Sequence, residues 1–439
     1  AYTFYLRKGV RFHHGRELTA EDFVYTFTRV LSPETRSSSS DFFTKIEGAR
    51  DFMEGRKKKV AGLVAPDRYT LKILLSEPYA PFISILAMKG AKVVPKEVVE
   101  QRGIEFGKTP IGTGPFKFRI KSGEEIVLEA NDDYFEGRPY LDKIVFKIFH
   151  GSPREKILKE FRKGNLEESF LPPEELGNLE LRKSFLFVQK PTLSLRFYGL
   201  NLKSELLGNK NLRKAINFAI DKQSIISEIH KDQFHLAKAI LPPGMPGYDP
   251  QRNPYPHDGK KAEEFLVDAE YRKNQGNPPL EIWCASNSAA AQNELNAVKS
   301  QLKAIGIESE ILYETHWPIF ESMLREDRAP VFVYAWYADF PDPDNFLGIL
   351  FHSKSKYNYT GYQNPLVDRL LEEAKREKDY LKRMETYRKI EGIILEDAPI
   401  VPLVNHLLQL IYQPYVRGIQ VNALGGPYVP MKKIWFKKE

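Results

Sequence analysis

The sequence predicts an α/β protein whose second half carries a mostly parallel sheet. Three observations lead there. Between residues 258 and 336, helix-like and strand-like segments alternate, the rhythm of βα units. The chain has 439 residues, 42% of them hydrophobic, so a large core in roughly two or three domain-sized units is within reach. No uninterrupted apolar run reaches the roughly 18 residues of a membrane-spanning helix; the longest, such as 331–336, are strand-sized.

Tyr2, Phe4 and Leu6, then Val10 and Phe12, alternate with polar residues, which predicts a strand, a turn at Lys8-Gly9 and a second strand. The chain opens inside this pattern, with no cap or leader, so further sequence upstream is expected. Thr19 before Glu21 and Asp22 is a helix start, and Phe23, Thr26, Phe27, Val30 and Leu31 form its inward stripe. The polar stretch 32–40 reads as loop. Strands are predicted at 69–75, after the glycine-proline turn 110–116, at 126–129 and at 143–149. A helix at 153–163 and strands near 185–190 and 193–200 follow. Residues 209–230 read as one long amphipathic helix, with Leu212, Ile216, Phe218, Ile225 and Ile229 on one stripe. The segment 241–250 is too rich in proline and glycine for regular structure. Then come helix 258–268, strand 280–285, helix 289–304, strand 307–313, helix 317–326 and strand 331–336. Helices at 364–376 and 379–396 precede strands at 400–404, 407–412 and 432–436.

Charge excludes some functions. The net charge of +7 comes from 65 basic and 58 acidic residues spread along the chain. No arginine-rich block or aromatic-basic signature marks a nucleic-acid binder, whereas an acidic partner surface or anionic lipid suits the balance. Cys284 stands alone, so no internal disulfide forms, which is compatible with export of a protein with a large core.

Most motifs that suggest chemistry dissolve on inspection. Gly103-Ile-Glu-Phe-Gly107-Lys-Thr has three residues between its glycines where a phosphate loop needs four. Gly112-Thr-Gly114 lacks a dinucleotide continuation. Adjacent His13 and His14 face opposite sides of a strand and cannot converge on one ion. Cys284, in an apolar strand, reads as a small core residue. The stretch 331–347 is different: an apolar strand runs into Asp339, Asp342 and Asp344, with Pro341 and Pro343 between them. The register is wrong for a calcium loop. Asp342 and Asp344 suit a helix start at Phe346. Asp339 has no such task. It sits past the C-terminal end of a predicted parallel strand, among Trp336, Tyr337 and Phe340, where ligands of open α/β sheets bind. A carboxylate there favours a cationic partner. A hydrolase pairing Asp339 with Asp342 lacks a second acid at a defined distance.

At this point the chain resembles the extracytoplasmic solute-binding proteins of the peptide/nickel type, the receptors of ABC importers. The resemblance is carried in order by 2–15 with 18–24, Pro110-Ile-Gly-Thr-Gly-Pro-Phe116, Asn201-Leu202 with 212–221, Leu241-Pro-Pro-Gly-Met-Pro246, 302–307, 336–346 and Ala398-Pro-Ile-Val-Pro-Leu403. It implies a two-lobed, Venus-flytrap fold (type II-like) with an extra N-terminal subdomain. Lobe one would be 1–193, with the extra subdomain at about 1–92 and a hinge-proximal part at 93–193; lobe two would be 194–412, and a tail, 413–439, would return to lobe one. Hinge crossings are expected near Ser194–Asn201 and Val404–Tyr412. The implied function is peptide transport: an oligopeptide held in the cleft and handed to a membrane permease, with no catalysis, cofactor or metal. The receptor would be a monomer, periplasmic or otherwise extracytoplasmic, or lipid-anchored. The same fold binding another solute, such as an oligosaccharide or a metal chelate, is the alternative.

The implied ligand-binding residues are Asp339, Trp336, Trp317, Tyr337 and Ala338. Asp339 matches the position that holds the peptide's α-ammonium in peptide-binding relatives. Two departures stand out. The family normally carries several tens of residues before the Tyr2-Thr3-Phe4 stretch. Dipeptide-type relatives carry an arginine for the ligand carboxylate just after the strand matching 280–285, where this chain reads Ser286-Asn-Ser-Ala-Ala-Ala-Gln292, which argues against a strict dipeptide specialist.

Overall fold

The computed structural model describes residues 1–151, 153–171, 175, 177–271, 277–426 and 429–438; of the expected C-terminal tail, residues 427, 428 and 439 lie outside these. An eight-stranded sheet forms its centre. Along the main path run Phe234–Leu236, Ile400–Tyr412, Ser194–Leu200, Val331–Tyr337, Leu280–Cys284 and Ser309–Tyr313, while Glu168–Phe170 and Leu186–Pro191 pair with the far half of Ile400–Tyr412. Leu280–Cys284 is parallel to both its neighbours, and the other pairings of this sheet are antiparallel. The expected mostly parallel sheet is therefore a mixed one. The βα rhythm correctly marks the three strands joined by helix crossovers, Ala289–Ala304 and Trp317–Arg325. It carries no information about the antiparallel strands that arrive from elsewhere in the chain.

Both faces of the sheet are covered, as continuous apolar strands require. On one face, Leu195, Phe197, Phe332 and Tyr334 pack under helices Asp344–Phe351, Pro365–Arg376 and Tyr380–Asp397. On the other, Tyr198, Ile282, Cys284 and Val331 pack under Lys210–Ala219, Gly259–Asp268 and Ala289–Ala304. The period-2 alternation of strands 194–200 and 331–337 sends successive side chains to these two cores.

Two elements depart from the pattern-based reading here. The helix expected over 209–230 stops at Ala219. Ile220 turns extended, and Asp221 accepts a hydrogen bond from Ser224 N–H, capping a short new turn that ends in a π-helical segment, Ile225–Ile229. Periodicity ran through the break because both pieces bury their apolar residues in the same core. The two strands expected at 400–404 and 407–412 are one strand of 13 residues, with a bulge between Pro402 and Val404.

The N-terminal unit has its own core. Tyr2–Tyr5, Thr70–Ile73 and Leu63–Asp67 form an antiparallel sheet under helix Ala20–Leu31. Thr19 and Asp22 close the expected capping box at that helix's start. The second strand expected near Val10–Phe12 does not form. Tyr2–Tyr5 takes Thr70–Ile73 as its partner instead, and Arg11 makes only an isolated bridge to Glu17. This unit docks against the helical side of the central unit. Phe340 enters its core, edge-on to Phe42 at 5.8 Å, Ala80 N–H donates to Lys375 O at 2.7 Å, and Arg376 pairs with Glu77 at 2.9 Å. At the C-terminus, the strand expected at 432–436 is a 3-10 turn, Met431–Lys433, followed by a two-residue strand, Trp435–Phe436. No helix among the described residues is long and apolar enough to cross a membrane.

Candidate functional site

The chain changes partners at one place. The first half of Ile400–Tyr412 pairs with Ser194–Leu200 and its second half with Leu186–Pro191. Between them, Thr192 N–H donates to His406 O at 2.8 Å, His406 N–H to Ser194 Oγ at 2.9 Å, and Asn405 Nδ2 to Ser194 O at 2.7 Å. Two adjacent strands pass here from one set of neighbours to another, held by short bonds across a few residues. The passage lies at 192–194 and 404–407, at the near edges of the two expected crossings.

The strand Val331–Tyr337 ends against this passage: Ala338 N–H donates to Leu193 O at 2.8 Å. The strand itself ends at Tyr337, and Asp339 follows two residues later. Asn345, fully buried at the start of the following helix, organises the turn. Its Oδ1 accepts Trp336 Nε1–H at 3.0 Å and Asp339 N–H at 3.2 Å. The Asp339 carboxyl is half-buried, and it has no cationic partner among the described residues. Burial pushes its pKa up, with the Asn345 amide pulling weakly the other way. A desolvated, uncompensated carboxylate is a standing cost to the fold and a ready partner for a ligand cation.

The other two aspartates have structural work. Asp342 is buried and clamped by Arg383 at 2.7 and 2.8 Å, while its Oδ1 also accepts Asp344 N–H at 3.0 Å. It thus serves the helix start as expected, from one residue before Pro343. Asp344 is buried, with Lys375 Nζ 3.8 Å away, and burial pushes its pKa up to about 6.

The aromatic candidates divide between the sheet's two faces. Trp336 follows Phe332 and Tyr334 on one face, its ring 5.3 Å from Tyr357. Trp317, 47% exposed at the start of its helix, lies 6.1 Å from Tyr334 and so joins the same aromatic row. Tyr337 is exposed on the opposite face, 6.3 Å from the His406 ring at the passage. Ala338 contributes main chain. The structure therefore gathers Trp336, Tyr337, Ala338 and Asp339 at one strand end, while Trp317 packs on Tyr334 in the middle of that strand.

Sequence reading missed two participants. Asn345 was legible only as part of a helix start; its role follows from the turn that brings it back to Trp336. Arg196 carried no motif. It stands on Ser194–Leu200 directly opposite Ala335, on the Tyr337 face. Its Nη1 is bonded to Glu294, a fully buried carboxylate that also accepts Tyr198 O–H and meets His230 Nε2, each at 2.6 Å. These partners outweigh the burial penalty and hold the Glu294 pKa down at about 2.

Comparison with known proteins identifies the family. Residues 1–358 match the family model for bacterial extracellular solute-binding proteins, family 5. The oligopeptide-binding protein OppA of Bacillus subtilis is 27% identical over 99% of this chain and 82% of its own length. The dipeptide-binding protein of Escherichia coli is 25% identical over 97% of this chain and 81% of its own. The solved structure of the periplasmic binding protein DppA from Helicobacter pylori, in complex with the peptide STSA, superposes with a TM-score of 0.77 at 28% identity, over 100% of this chain and 86% of that one. The fold is thus the expected two-lobed binding-protein fold.

Proposed function

Because the chain belongs to family 5 of the bacterial extracellular solute-binding proteins, we propose that it is the peptide receptor of an ABC importer, closing two lobes on a peptide and presenting it to a membrane permease. Lobe one comprises 1–193 with 413–439, lobe two 194–412, and the hinge is the strand passage at Thr192–Ser194 and Asn405–His406. The receptor works outside the cytoplasm as a monomer and does no covalent chemistry.

One observation carries the reading: a half-buried carboxylate, Asp339, without a cation among the described residues, at a strand end beside the strand passage. In this reading Asp339 holds the ligand's α-ammonium, and Asn345 sets its backbone. Trp336 and Trp317 offer apolar surface for side chains. The peptide's main chain adds to the site as an extended strand, so backbone and terminus, common to all peptides, supply most of the affinity. Side chains then need only roomy, hydrated pockets, which gives broad sequence tolerance. The names of similar proteins, oligopeptide-binding and dipeptide-binding, support a peptide ligand.

Calorimetry on protein freed of retained ligand tests this, using tripeptides as free acids and as N-acetylated forms. Acetylation is expected to weaken binding strongly. Equal affinities would remove Asp339 from the role.

A further inference from the structure

The side chain of Arg196 has a free end. Glu294 takes Nη1, while Nε and Nη2 have no hydrogen-bond partner among the described residues. Glu294 itself is committed to Tyr198 and His230 and is fully buried, so it fixes the guanidinium from beneath and cannot swing to cover it. The Arg196 side chain keeps 22% of its surface exposed. What lies beside it is small and open: Ala335, its cross-strand neighbour, is exposed, and so is every residue from Ser286 to Ala290.

Arg196 also reaches sideways. Its Nη1 bond to Glu294 ties the guanidinium to the helix that follows the loop 286–288. The loop leads into the 16-residue helix Ala289–Ala304, capped by Ser288 Oγ on Ala291 N–H. Glu294 lies roughly one and a half turns inside that helix. Arg196 stands opposite Ala335 near the C-terminal end of Val331–Tyr337, and open α/β sheets bind ligands at such strand ends.

We propose that Arg196 receives the C-terminal carboxylate of the peptide ligand, through the Nε–Nη2 fork that Glu294 leaves open. This rests on the Asp339 reading and extends it to the ligand's other terminus. The loop that lacks an arginine is thereby served from a different strand. Peptides with both termini free are the preferred cargo.

The test uses the full chain, stripped of retained ligand, and a randomised tripeptide pool made in three forms: free acids, C-terminal amides and N-acetyl acids. Amidation is expected to weaken binding to the wild type about 10- to 100-fold, the worth of a charge-assisted bidentate contact. The charge-balanced variant Arg196→Met/Glu294→Gln should bind acids and amides alike while still rejecting N-acetyl peptides. Arg196→Lys, which keeps the charge and loses the fork, should discriminate by less than the wild type and guards against a misfolded double variant. Wild-type protein that binds acids and amides equally but rejects N-acetyl peptides overturns the Arg196 assignment and leaves Asp339 standing. Unchanged acid preference in the folded double variant overturns it as well. Rejection of amides with acceptance of N-acetyl peptides supports Arg196 and removes Asp339.

Discussion

Replacing Asp339 by asparagine should move binding and stability in opposite directions. The carboxylate is half-buried and has no cationic partner among the described residues, and its pKa is raised by burial. The charged form therefore destabilises the unliganded fold, and Asp339→Asn, which keeps size and shape, should raise the melting temperature of the ligand-free protein. Binding should fall. At 3 Å and an effective dielectric constant of about 20, an ammonium–carboxylate attraction is about 5 kcal/mol before desolvation of the ammonium. Measured losses for buried pairs run from about 2 to 5 kcal/mol. Half-burial, with one polar neighbour, places this site toward the lower end, about 2–3 kcal/mol, or roughly 30- to 150-fold in affinity. Scanning calorimetry of the stripped protein and titration with a free tripeptide read the two effects separately. A variant that loses stability and binding together would mean that Asp339 is structural. A variant that binds as tightly as the wild type would mean that the ammonium sits elsewhere.

Other consequences follow from the same structure. Burial pushes Glu391 up to about 7 and Asp344 up to about 6. Both exceed their unfolded values, so the stability they lend is full below the ordinary carboxylate range and is lost as pH rises through 6 and 7. Glu294 and Glu372 are held down at about 2 by their partners, so their contribution is present above about 4.5 and is lost as pH falls toward 2. Melting temperature scanned from pH 3 to 8 should peak near about 4.5, and Glu391→Gln, which keeps an acceptor for Ile240 and Leu241 N–H, should flatten the fall between about 4.5 and 7. Arg383→Met strands buried Asp342 and should cost about 3–5 kcal/mol by urea unfolding, whereas Asp342→Leu/Arg383→Met should recover much of it; a mild single variant would show that the pair is dispensable. Gly199→Ala places a Cβ 2.1 Å from the Phe332 ring and should cost about 1–3 kcal/mol through overpacking in the shared core, with little change if the ring has room to turn.

Legibility in the sequence followed the range of the interactions. The capping box at Thr19, the helix Ala289–Ala304 and the strand Val331–Tyr337 were readable because caps and periodicity are local. Asp339 stood out by elimination: its neighbours Asp342 and Asp344 had a helix to start, and it did not. Missed features all depend on remote partners. Tyr2–Tyr5 passes over the nearby Val10–Phe12 stretch for a strand some seventy positions away. Ile400–Tyr412 appeared as two strands because its two halves serve different neighbours.

By itself, then, the order of residues determined the α/β class, most helices and strands, and one carboxylate with no local purpose. Only the tertiary structure decided that the sheet is mixed, that Asn345 turns back to hold Trp336 and Asp339, and that Arg196 stands opposite Ala335 with half its fork unpaired among the described residues. The reason is physical. Hydrophobic periodicity and capping act within a turn or a strand, whereas strand pairing and charge placement are settled between segments that can lie more than two hundred residues apart, by which surfaces can be buried together.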